Sequence, residues 1–309
     1  MLGLALGSGG ARCWAHIGVL RRLGELGIRP QCIAGTSAGA IAAALYASDS
    51  VETMEELAAH LDWKQVAQLF LEVNFPRSGL LTGKNFMQML KSIIPVHAVA
   101  SLRIPYAAVA TDLEAEKEVV LKSGNLFDAI RASIGIPGIF TPARLNGRHL
   151  VDGGLVNPLP VSVCRSMGAD LVIAVDVNLR SAAQKRKTVQ KPQPSEPPPR
   201  IAQLVASLSG LLSQWTGPAA SPSRRWIAPP KNEADPLSIF DVLTRSFRLI
   251  ENQITLRELA LNPPDILIQP EVGDIMTLEF HRGPEAIAAG IRAVDEALPR
   301  LKALLPLAR

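Results

Sequence analysis

The sequence predicts an α/β protein built on a mainly parallel sheet. Short, wholly apolar runs alternate with stretches of helical periodicity from the start of the chain, the pattern of strand–helix–strand units with right-handed crossovers. Those runs lack polar alternation, as strands buried on both faces do. Glycine-rich turns, Gly7–Arg12 and Gly35–Gly39, punctuate the strand-to-helix junctions.

Leu2 to Leu6 reads as a short buried strand that ends in the loop Gly7-Ser8-Gly9-Gly10-Ala11-Arg12. Ile17, Val19, Leu20, Leu23 and Leu26 then mark one face of a helix whose other face carries Arg21, Arg22 and Glu25; Gly27 stops it. A second strand, Cys32 to Ala34, runs into the turn Gly35-Thr36-Ser37-Ala38-Gly39, and the small side chains of Ala40 to Ala47 favour a helix. Helical spacing returns over Val51 to Leu71, and Gly79 to Ile94 holds a turn and a further helix. Tyr106 to Thr111 is a strand that Glu118 to Leu121 can pair with. Leu171 to Val175 and Ile266 to Ile268 are later strands of the same sheet, and Pro284 to Leu305 is a long helix with a break expected at Pro299. One domain over residues 1–309 is expected, interrupted by a Pro- and Lys/Arg-rich insert at 181–234. Within the insert, Ile201 to Trp215 carries an apolar stripe, which suits either a helix packed on the body or a lid or membrane-contacting segment.

Composition narrows the function. With 309 residues, 48% of them hydrophobic, the chain can bury a sizeable core. A net charge of +4 suits an anionic surface or a merely solvated one. The few aromatics, two Tyr and eight Phe among them, do not interleave with basic clusters, so no nucleic-acid partner is expected. Cys13, Cys32 and Cys164 form neither a disulfide framework nor a zinc knuckle, and fit a reducing, cytoplasmic setting. Met1 to Leu6 has no basic residue before it and runs into glycines, so no secretion signal is expected, and no apolar run reaches the roughly 18 residues of a membrane span.

The chemistry concentrates in three places. Gly35-Thr36-Ser37-Ala38-Gly39 is a G-x-S-x-G turn between a strand and a helix, where small neighbours let a serine stand exposed at a helix N-terminus. Such a hydroxyl needs a base and an oxyanion hole. Gly9 and Gly10, with Ala11 or Arg12, can turn backbone amides toward one oxygen. A dinucleotide fingerprint fits poorly there, because its last glycine is replaced by Arg12. For the base, His281 would complete a Ser37, Asp152, His281 order like that of α/β-hydrolases, but those folds place several strands before the nucleophile and here only 36 residues precede it. Asp152 is the better partner. It follows the apolar Leu150-Val151, and Gly153 and Gly154 let its loop approach another closely.

Taken together, these residues resemble the patatin-like phospholipase family. Gly9-Gly10-Ala11-Arg12 is similar to the family's oxyanion loop, Gly35-Thr36-Ser37-Ala38-Gly39 to its nucleophile elbow and Asp152-Gly153-Gly154 to its Asp-Gly motif. Ala110-Thr111-Asp112-Leu113 and Ala132-Ser133-Ile134-Gly135-Ile136-Pro137 are similar to further family segments. The resemblance implies a three-layer α/β/α fold, a Ser37-Asp152 dyad without a catalytic histidine, no metal or cofactor, and hydrolysis of acyl esters of lipids. The sequence departs from the family pattern at Ser8 and Cys13, where glycine is usual. Arg12 either meets a substrate phosphate or braces the loop. Peripheral contact with the inner membrane surface through 181–234 is a further expectation. The rival reading is a protein that keeps this fold without catalysis and binds a membrane or a partner.

Overall fold

The computed structural model describes residues 1–60, 65–66, 81–178 and 239–305, leaving aside the side chains of 239–241. The expected insert at 181–234, its apolar stripe Ile201 to Trp215, and most of the stretch after His60 to which the Val51–Leu71 periodicity extends lie outside the described residues. By contact the chain divides into two units, one of Met1–Ala182 with Leu243–Arg309, the other of Ala183–Val242.

The strands are β1 (Leu2–Leu6), β2 (Cys32–Thr36), β3 (Tyr106–Asp112), β4 (Lys117–Leu121), β5 (Ala143–Leu145), β6 (Arg148–Asp152), β7 (Leu171–Val175) and β8 (Ile266–Ile268). They form one sheet in the order β5-β6-β3-β2-β1-β7-β8, with β4 also on β3. The five strands β3, β2, β1, β7 and β8 run parallel, and β4, β5 and β6 pair antiparallel. The helices are α1 (Trp14–Glu25), α2 (Ala38–Ala47), α3 (Val51–His60), α4 (Lys84–Ile93), α5 (Leu126–Ser133), α6 (Val161–Ser166), α7 (Ile239–Leu261) and α8 (Gly283–Leu304).

Successive strand residues point to opposite faces, and each face builds its own core. Leu4, Leu6, Ile33, Tyr106, Ile173 and Val175 meet α1, α2, α5 and α8 on one side. The smaller Ala5, Cys32, Ala34 and Ala174 meet Val161, Val163 and Cys164 of α6 and Leu259 of α7 on the other. The result is a three-layer α/β/α fold.

Three elements differ from expectation. Helix α8 runs unbroken through Pro299, which lies on its exposed side, where water can meet the carbonyl that proline leaves unbonded. The β5–β6 hairpin turns at Asn146-Gly147, both at positive φ. This pair is a strong short-range hairpin signal that the apolar runs do not reveal. Helix α7 follows the insert and was not anticipated.

Candidate active site

The sheet register brings two distant strand ends together. Val109 and Ala110 of β3 pair with β4 along one edge of the strand. Along the other edge, Val109 is opposite Thr36 of β2 and Ala110 opposite Asp152 of β6. Strands β2 and β6 therefore run head-on along one side of β3, and the residues at their meeting ends, Ser37 and Asp152, become neighbours.

Ser37 sits at φ 56° and ψ −126°, between β2 and the N-terminus of α2. A non-glycine residue in this region is held there by its surroundings. Its amide donates to Ser133 Oγ at 2.8 Å, and that hydroxyl donates to Val109 O at 2.6 Å. Gly35 and Gly39 supply the clearance: a β-carbon on Gly39 would stand 2.3 Å from Leu6 O. Thr36 Oγ1 anchors the strand end by donating to Asn157 O at 2.7 Å.

Ser37 Oγ donates to Asp152 Oδ2 at 2.6 Å, and the Gly154 amide donates to Asp152 Oδ1 at 2.8 Å. Asp152 is fully buried. Burial first, and then the nearby Glu251 charge, push its carboxyl up from 3.8 to about 8, against the pull of its bonds to Ser37 and Gly154. The Asp-Gly step lies tight on the sheet, since a β-carbon on Gly153 would be 2.3 Å from Val109 O. No histidine joins Ser37 and Asp152 among the described residues. His281 is exposed, and His16 is buried with Nε2 2.8 Å from Gly7 O, its ring pushed down to about 4 by burial.

The glycine loop divides into amides that are used and amides that are not. Gly9 and Gly10 have no hydrogen-bond acceptor for their amides among the described residues. The expectation that Ala11 or Arg12 adds an amide is corrected, because Ala11 donates to Thr277 O at 2.9 Å and Arg12 to Gly9 O at 3.2 Å. The Arg12 side chain braces the loop. It is buried, with Nε and Nη2 on Asn178 Oδ1 at 3.2 and 2.7 Å and Nη1 on Ile275 O at 2.9 Å. These bonds leave its guanidinium engaged inside the protein.

A pocket abuts the elbow between α1, α2, α3 and α4. Ala38, the residue after Ser37, lines it together with Ile41, Ala42, Leu45, Trp14, Met54, Phe86, Phe280 and the Cys13 side chain. Cys13, one of the two departures from the glycine pattern, thus forms pocket wall. Such a lining suits a hydrocarbon chain. Sequence reasoning missed both this grouping and Glu251, a buried residue of α7. The pocket residues come from four helices and from Cys13 and Phe280 outside them, so no single stretch of sequence announces them. Among the described residues, no three His, Cys, Asp or Glu side chains are grouped to hold a metal ion, and no helix is long and apolar enough to cross a membrane.

Comparison with known proteins gives consistent relatives. The family described as patatin-like phospholipase matches residues 4–165. An uncharacterized NTE family protein of Mycobacterium tuberculosis is 33% identical over 330 residues, covering 96% of this chain and 90% of that protein. Patatin-like phospholipase domain-containing protein 7 of Rattus norvegicus is 36% identical over 184 residues, which are 58% of this chain but 14% of that protein. Among solved structures, VipD from Legionella pneumophila superposes with a TM-score of 0.51 at 14% identity, covering 97% of this chain and 66% of that one, a likeness of fold.

Proposed function

Since the chain belongs to the patatin-like phospholipase family, we propose that it is a serine acyl hydrolase of the phospholipase A or lysophospholipase type, with Ser37 as nucleophile and Asp152 as base. One observation carries this reading: the Ser37 hydroxyl donates at 2.6 Å to a buried carboxylate that holds no other side-chain hydrogen bond among the described residues.

Ser37 Oγ attacks the ester carbonyl carbon while its proton passes to Asp152 Oδ2. A carboxyl raised to about 8 is a far better base than an ordinary aspartate and is matched to work near neutral pH. The negative oxygen of the tetrahedral intermediate is received by the Gly9 and Gly10 amides, at the end of the sheet where α2 also points its positive terminus. Collapse breaks the bond to the alcohol, which takes the proton back from Asp152. Water, losing a proton to Asp152, then attacks the acyl-Ser37 carbonyl; the bond to Ser37 Oγ breaks, the fatty acid leaves, and Oγ takes that proton back from Asp152. The apolar pocket beside Ala38 takes the acyl chain. The substrate is the acyl ester of a lipid, and contact with a membrane surface through 181–234 belongs to the same reading.

The test is hydrolysis of a p-nitrophenyl ester series by the wild type, Ser37→Ala and Asp152→Asn. Each variant is expected to lose about 10³-fold or more in kcat/KM. Wild-type rates in both would refute the mechanism. Folded wild type that neither cleaves these esters nor takes up a fluorophosphonate at Ser37 would leave the non-catalytic binding reading.

A further inference from the structure

Glu251 lies in α7, more than two hundred residues from Ser37 in sequence, and is 5% exposed. Two parts of the site close on it. On one side is the Ser8 hydroxyl of the glycine loop, which favours the charged form of the carboxylate and accepts from Asn178 Nδ2 at 3.1 Å. On the other side, its Oε1 lies against Gly154: a β-carbon there would stand 2.3 Å from Glu251 Oε1 and 3.1 Å from Asp152 Oδ1. Ser8 is the second departure from the glycine pattern, and this carboxylate is near enough to sense it.

We propose that Glu251 is a positioning residue of this site: it ties the glycine loop to the Asp152 turn, and its negative charge strengthens Asp152 as the acceptor of the Ser37 proton. The inference rests on the dyad reading above. Asp152 and Glu251 are two buried carboxyls facing one glycine, so ionising either makes ionising the other harder. The charged groups around Glu251 are Arg12 from the loop, Arg248 from its own helix, Asp176 after β7 and Asp152 itself. The two arginines favour its charged form and Asp176 opposes it. The same Arg12 that braces the loop thus helps keep a charge beside the base. Burial pushes Glu251 itself up to about 7, and the pair therefore changes charge across the neutral range.

The experiment is the pH dependence of kcat/KM on a p-nitrophenyl ester for the wild type, Glu251→Gln, Glu251→Asp and Ser37→Ala. Glu251→Gln removes the charge and keeps an acceptor for Ser8. Its acid limb is expected about one pH unit lower than the wild type's, with a plateau reduced by less than about tenfold, because a less basic carboxylate pulls the proton less strongly. Glu251→Asp restores a charge and is expected to return the limb toward the wild-type pH. A Glu251→Gln limb that coincides with the wild type's, with Ser37→Ala inactive, overturns this inference and leaves the dyad standing. An active Ser37→Ala removes both. A second measurement needs no Glu251 variant: infrared titration of buried carboxyl groups in Ser37→Ala and in Ser37→Ala with Asp152→Asn, from about pH 5 to about pH 9. The remaining carboxyl of the double variant is expected to ionise at lower pH than the pair. Ionisation at an unchanged pH overturns the coupling.

Discussion

Ser37 stands between two unlike regions. On the side of α1 to α4 the walls are apolar, from Trp14 and Ile41 to Phe86 and Phe280. On the side of α7 and the strand ends there is a buried polar network in which Asp152, Glu251, Arg12, Ser8, Asp176 and Asn178 touch or sense one another. The apolar side can accept many hydrocarbon chains, because dispersion and water exclusion impose little geometry. The polar side tolerates little change, since each buried charge depends on its partners. The difference teaches where selectivity and proton handling reside on the proposed reading: substrate length on one side, basicity on the other.

The contrast can be broken most severely at Arg12. Arg12→Ala removes three hydrogen bonds and one of the two arginines that favour the charged form of Glu251. The expected loss is about 3 kcal/mol of stability, read from denaturant midpoints, and a loss below about 1 kcal/mol would show that the network is not coupled. Next comes Asp152→Asn, whose effect on stability is opposite to its effect on rate. A carboxyl raised from 3.8 to about 8 in the fold stabilises it fully below 3.8, and that contribution is lost as pH rises through about 8. Asparagine has no such loss. The variant's melting temperature should therefore gain on the wild type's between about pH 5 and about pH 8, reaching about 5 °C. A gap constant with pH would contradict the raised value. The smallest effect falls on the apolar side. Ala42 is buried in the pocket wall, and Ala42→Leu should lower kcat/KM for long-chain esters about tenfold relative to short ones. An unchanged chain-length ratio would place the acyl group elsewhere.

Much of this arrangement was legible in the sequence. The residues of the parallel strands are apolar in unbroken runs, and the glycine loop and the elbow sit in short segments whose turn chemistry is local. The residues singled out on separate motifs, Ser37 and Asp152, meet in the structure because β3 offers them one edge. Helix α7 was hidden for a physical reason. Its Leu249, Ile250 and Leu256 are exposed while Glu251 and Thr255 are buried, the reverse of the periodicity by which an amphipathic helix is oriented from sequence. A buried glutamate is made tolerable by Arg248 of its own helix together with Arg12, which another element brings and no local pattern encodes. The use of the Ala11 amide is hidden for a similar reason, because its acceptor is Thr277 O, far along the chain, whereas the Arg12 amide is taken locally by Gly9 O.

The head-on junction of β2 and β6 has a consequence in time. The elbow's helix, strand and glycines can be assembled from neighbouring sequence. Its carboxylate arrives 115 residues later, on an antiparallel strand that must dock in register on the far half of β3. A one-residue slip of that strand would turn Asp152 to the opposite face of the sheet. On the proposed reading, a nascent or partly folded chain therefore carries Ser37 without Asp152, and hydrolysis of a lipid ester waits until β6 has docked on β3.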